Sequence, residues 1–127
     1  MYPPVFATAV ANAGVTALLG LNPTRLYLFG EADKDTPKPY AVWQTITGAP
    51  ENYLGDLPDM DSYSTQVDVY ATTAASARSV AEALRDAVEP VAHITFWGGE
   101  SRDPDTNNYR VNFTIDWWVP RPEPGST

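Results

Sequence analysis

Between Ser64 and Pro90 the apolar period changes from two residues to 3.6, the clearest such change in the chain. Val67, Val69 and Ala71 alternate with Gln66, Asp68 and Tyr70, which predicts a strand buried on one face. Thr72 or Thr73 offers a hydroxyl to cap the helix that follows. In that helix Ala77, Val80, Ala81, Leu84, Ala87 and Val88 recur three and four residues apart. Arg78, Glu82, Arg85, Asp86 and Glu89 take the other face, with Arg78 and Glu82 spaced for an i,i+4 pair. Pro90 ends the helix. A strand handing directly to an amphipathic helix needs a sheet to cover, so the rest of the chain must supply strands.

It does so. Pro3-Pro4 opens an Ala-rich run from Val5 to Leu19, read as one helix with Phe6, Ala9, Val10, Ala13 and Ala17 near one face and Gly20 as its stop. Arg25–Phe29 reads as a short strand, and 30–39 as a charged loop carrying Glu31 and Asp33. Tyr40–Thr47 reads as a second strand. Its alternation leaves open whether Trp43 or Gln44 faces inward. Gly48–Met60 reads as a second loop, with Tyr53, Leu54, Leu57 and Asp59 among its turn residues. Ala92–Trp97 is a fourth strand, Gly98-Gly99 a turn, and Glu100–Asn108 a polar loop. Tyr109–Val119 alternates most regularly. Tyr109, Val111, Phe113, Ile115, Trp117 and Val119 share one face; Arg110, Asn112, Thr114, Asp116 and Trp118 share the other.

The order α-β-β-β-α-β-β predicts an α+β domain over 1–119. Its mainly antiparallel four- to five-stranded sheet carries two helices on one face. Residues 120–127 form a Pro-rich extended tail. The other sheet face, with Gln66, Asp68, Tyr70, Arg110, Asn112, Asp116 and Trp118, is then bare and is the candidate contact surface.

Composition narrows the function. A net charge of -8 opposes nucleic-acid binding by phosphate neutralisation and contact with anionic membrane. The absence of Cys removes disulfides and thiolate metal sites. No apolar run is long enough to span a bilayer, and the N-terminus lacks a basic leader. The lone His93 has no nucleophile or carboxylate set beside it in sequence. Asp103, Asp105 and Asn107 imitate the start of a calcium loop, but Asn108 and Thr114 stand where that loop needs Gly and Glu. The Asp56, Asp59 and Asp61 cluster fits no ligand spacing and reads as solvated acid. No phosphate loop, nucleophile elbow or zinc spacing is present in the sequence.

Three segments together resemble a known family. They are Pro39-Tyr40-Ala41-Val42-Trp43-Gln44, Gly48-Ala49-Pro50-Glu51-Asn52, and Thr65–Ala71 leading into the helix to Val88. With the closing Tyr109–Trp118 strand, their order and spacing are similar to the tail-completion, or tail-terminator, proteins of long-tailed bacteriophages. The resemblance covers most of residues 5–119. The Glu31–Lys38 loop and the proline tail lie outside it.

The resemblance implies a non-enzymatic protein of the virion, made in the host cytoplasm, without a cofactor. It implies a homohexameric ring that caps the tail tube, stops its polymerisation and joins it to the head-completion (neck) protein. DNA then passes through the lumen without specific binding. On that reading the bare face lines the lumen or packs on a neighbouring copy. Glu31, Asp33, Tyr53, Leu54, Leu57 and Asp59 would lie in loops touching the tube or neck protein. A small ligand-binding or regulatory module, and an enzyme, are the other readings the residues leave open.

Overall fold

A computed structural model describes residues 2–33, 35–50, 60–104 and 108–121. Among these, three helices and five strands follow in the order α1 (Val5–Val10), α2 (Ala13–Leu19), β1 (Leu26–Leu28), β2 (Tyr40–Pro50), β3 (Met60–Ala71), α3 (Ala74–Val88), β4 (His93–Arg102) and β5 (Tyr109–Pro120). The sheet order is β1-β2-β3-β5-β4. β1 and β2 are parallel and every other pair is antiparallel, so the sheet is mixed.

The core forms between α3 and the sheet as the alternation predicts. Val67, Val69 and Ala71 of β3 are buried, as are Val111, Phe113, Ile115, Trp117 and Val119 of β5. α3 covers them with Ala77, Val80, Ala81, Leu84 and Val88, each of the large aliphatics contributing about 1.5–3 kcal/mol. Thr73 caps α3 by accepting the Ser76 N–H at 3.1 Å. Thr65 is a fully buried polar residue in this core: its hydroxyl accepts the Trp117 indole N–H at 3.0 Å, which keeps the ring's only donor satisfied. Trp43 packs against this core, which settles the facing of β2.

Several expectations are corrected. The run from Val5 to Leu19 is two helices, because Asn12 turns extended (φ -99°, ψ 121°) and its side chain accepts the Val15 N–H at 3.2 Å. Asn competes for its own backbone in this way, and inside a helix it starts a new one. The break turns the buried face from Phe6, Ala9, Val10, Ala13 and Ala17 to Val5, Ala9, Val15 and Leu19, leaving Phe6 exposed. The layer thus holds three helices, with α1 and α2 packed against α3.

β4 runs straight through Gly98-Gly99 to Arg102, and two bulges take up the irregularity, between Ile94 and Phe96 and between Trp97 and Gly99. Gly98 has φ +99°, which suits only glycine. Gly48–Pro50 and Met60 belong to strands and not to a loop. Pro120, expected to lie beyond the last strand, ends β5 opposite Met60. Arg121 holds Asp61 with two bonds of 2.9 and 2.8 Å, making that acid part of an ion pair. Arg78 binds Glu100 of β4, with Nη2 3.0 Å from Oε1, and not Glu82. The sheet gives Arg78 a fixed carboxylate that a neighbour on its own helix cannot match.

Candidate functional site

The open face of the sheet is built row by row from the strand register. Tyr40, Tyr70, Arg110 and Ser101 stand opposite one another on β2, β3, β5 and β4; Val42, Asp68, Asn112 and Gly99 form the next row. Gln44, Gln66, Thr114 and Phe96 follow, then Thr47, Ser64, Asp116 and His93. Trp118 lies opposite Ser62. All seven residues singled out from the alternation, Gln66, Asp68, Tyr70, Arg110, Asn112, Asp116 and Trp118, therefore share this face. The helices cover the other one.

The face is organised around Asp68. Its Oδ1 accepts two Arg110 N–H bonds at 2.9 and 2.6 Å, and Gln66 Nε2 donates to its carboxylate at 3.2 Å. Asp68 is 8% exposed, well shielded for a carboxylate on an uncovered sheet. Hydrogen bonding to Asp68 pushes the Arg110 guanidinium further up. Beside this pair the rings of Tyr40 and Tyr70 stack at 5.1 Å, and Tyr27 of β1 meets Tyr40 edge-on at 6.4 Å. Burial, and then the Asp68 charge, raise the Tyr70 phenol; burial, and then Tyr70, raise Tyr40. Both phenols stay neutral around pH 7. Tyr27 and Tyr40 extend the ladder beyond the residues found by alternation, since only the β1–β2 register brings them to it.

Asp116 accepts the Ser64 hydroxyl at 2.7 Å. His93 stands across from Asp116, and its ring meets Trp118 edge-on at 5.4 Å. Serine, aspartate and histidine thus share one row, but the serine hydroxyl is bonded to the carboxylate. Nucleophile activation needs that hydroxyl on the imidazole. Asn112 Oδ1 is buried and lacks a hydrogen-bond partner. A Cβ on Gly99 would overlap that same oxygen, so glycine is required there for Asn112 to lie flat on the strand.

Glu31 and Asp33 are exposed in the connection between β1 and β2. Tyr53, Leu54, Leu57 and Asp59 lie outside the described residues, as do Asp56, Asp105 and Asn107. Among the described residues no group of three or more His, Cys, Asp or Glu could hold a metal ion. On the helix side of the sheet, at its β1–β2 end, Tyr2, Leu28, Phe29, Trp43 and Thr45 line an apolar cleft of about 440 Å³. At the opposite end Arg85 stacks over Trp97, 5.0 Å from the ring centre.

A mixed sheet covered by helices on one face and left open on the other, with Asp68 paired to Arg110 and Asp116 bonded to Ser64, defines a surface-bearing α+β domain. The family model described as tail completion protein gp17 matches residues 3–120, and the chain belongs to that family. Its members are structural proteins of phage tail assembly. Two solved structures share the fold. A chain of the virion of a native gene transfer agent particle aligns with a TM-score of 0.67 and 17% identity, over 92% of both chains. The gp17 protein of bacteriophage SPP1 aligns with a TM-score of 0.52 and 14% identity, over 95% of this chain and 88% of that one. No curated protein matches the chain.

Proposed function

We propose that this chain is a ring-forming tail terminator: it caps the finished tail tube, stops further polymerisation and presents the surface that the head joins. The observation that carries the reading is an uncovered sheet face of bonded polar groups and aromatic rings in a member of a tail completion family. Such a face suits a lumen. Its carboxylates are already bonded, Asp68 to Arg110 and Asp116 to Ser64, and the chain's net charge of -8 discourages retention of DNA. Copies arranged as a hexamer bring six such faces around one axis, with heterologous interfaces that close by rotation. The exposed Glu31 and Asp33, and the segment with Tyr53, Leu54, Leu57 and Asp59, would then meet the tube protein on one side and the neck protein on the other. The protein is made in the host cytoplasm and resides at the head–tail junction of the virion.

Light scattering across a range of concentrations tests the ring: a species of about six chain masses is expected, alone or on tube ends. Charge reversal, Asp68→Lys and Asp116→Lys, tests the lumen. Either variant is expected to impair ring formation or to hold DNA in the channel. Wild-type assembly and wild-type DNA passage in both variants would remove that role.

A further inference from the structure

The apolar cleft on the helix side, about 440 Å³ between Tyr2, Leu28, Phe29, Trp43 and Thr45, lies where β1 stops short of the rest of β2. Its walls are aromatic, and two of them stand in water: Tyr2 is 70% exposed and Phe29 62%. Rings so placed gain from a cover. Tyr2 also stacks on Tyr63 at 5.8 Å, so an aromatic path leads from β3 into the cleft.

That path begins where the chain leaves the sheet. β5 ends at Pro120 opposite Met60, and Arg121 holds Asp61 with two bonds of 2.9 and 2.8 Å. Asp61, Tyr63, Thr65 and Val67 alternate onto the helix side of β3, so Arg121 is anchored on that side, next to Tyr63. Residues 122–127 lie outside the described residues and read Pro-Glu-Pro-Gly-Ser-Thr. Proline has no N–H to donate, so this sequence is a poor partner for the backbone of β2. It favours polyproline II, which aromatic-lined grooves accept. The distance fits as well. Thr45 pairs with Thr65, so the cleft lies about 13 Å along the strands from Asp61 and one strand spacing, about 5 Å, across. Residues 122–127 span about 19 Å as polyproline II.

We infer that the cleft is a docking site for residues 122–127 of the same chain, with Pro122 and Pro124 laid against Tyr2, Trp43 and Phe29. Anchored at Arg121, the segment meets its own cleft at an effective concentration on the order of millimolar, well above that of another copy in dilute solution. The contact takes exposed rings out of water and covers the border of β2 beyond β1, where an unpaired edge would otherwise invite stray strands. It goes beyond the ring reading and holds whether or not a ring forms.

The chain has no cysteine, so introduced thiols report this contact directly. Thr45→Cys combined with Ser126→Cys puts one thiol in the cleft wall and one in the segment. Ser62→Cys combined with Ser126→Cys is the comparison, because Ser62 adjoins Asp61, closer to the anchor, but faces the open side. In dilute protein under mild oxidation the Thr45 pair is expected to close within one chain, with loss of both free thiols and no gain in mass. The Ser62 pair is expected to stay largely reduced. Equal closure of the two pairs overturns the inference, since a segment without a seat reaches the nearer thiol at least as well. Closure of neither overturns it too. Covalent dimers from the Thr45 pair give the cleft to a second copy and overturn the contact within one chain. Pro122→Ala together with Pro124→Ala is expected to shift tryptophan emission to the red, and the shift is expected to vanish when Trp43→Phe is added. Unchanged emission would remove the two prolines from the Trp43 ring.

Discussion

The two faces of the sheet are drawn from the same strands, residue by residue, yet they obey different rules. On the helix side Val67, Val69, Val111, Phe113 and Ile115 are close to fully buried and held by packing alone. On the open side Gln66, Asp68, Tyr70, Arg110 and Asp116 are held by directed bonds and ring stacking. Packing tolerates exchange among residues of similar volume, whereas directed bonds fail when one partner is lost. The covered face therefore determines whether the domain exists, and the open face determines the pattern of bonded polar groups and rings that the domain presents to its surroundings.

The largest effect that separates them comes from the covered side. Leu84→Asp places a charge among α3's buried residues and is expected to cost about 4–5 kcal/mol or more, a large fraction of a domain's stability. Thermal melting that matches the unchanged protein would remove α3 from the core. Next comes Gly99→Ala, which collides with Asn112 and is expected to cost about 1–3 kcal/mol, with Asn112→Gly recovering part of it. Additive losses in that double variant would show that the two positions are independent.

Asp68→Asn should be milder, about 1–2 kcal/mol, because Arg110 is partly exposed and water replaces some of what it loses. Its loss should vanish when Arg110 is also changed to Gln. A drop as large as that of Leu84→Asp would mean that the open face holds the fold as well.

The smallest effect is a response to acid. Bonds from Arg121 lower the Asp61 carboxyl and bonds from Arg78 lower that of Glu100, so both ionise more readily folded than unfolded. Their contributions are complete above the unfolded values near pH 4 and fade as acid passes through the lower folded ones. Denaturant titrations between pH 6 and pH 3 should show stability falling toward the acid end, and less steeply in Arg121→Gln. An identical slope in that variant would remove the Arg121 pair as a source.

What could be read from the sequence was whatever a residue's immediate neighbours determine. The Leu84 stripe and the Phe113 alternation declare their periods within a dozen positions, and with them the seven residues of the open face. Asn12 was opaque because an Asn inside an Ala-rich run looks the same whether it points to solvent or caps a new helix. Gly98 and Gly99 suggest a turn, and only the crowding by Asn112 from β5 turns them into a bulged strand. The partner of Arg78, and the tyrosine ladder from β1 to β3, depend on register between segments far apart in sequence.

The position of β5 sets a timetable. Among the described residues it is the last strand to be synthesised, yet it sits between β3 and β4, and β4 has no other strand partner there. While the chain is still growing, β4 lacks that partner, so this half of the sheet can close only after Tyr109–Pro120 has been made.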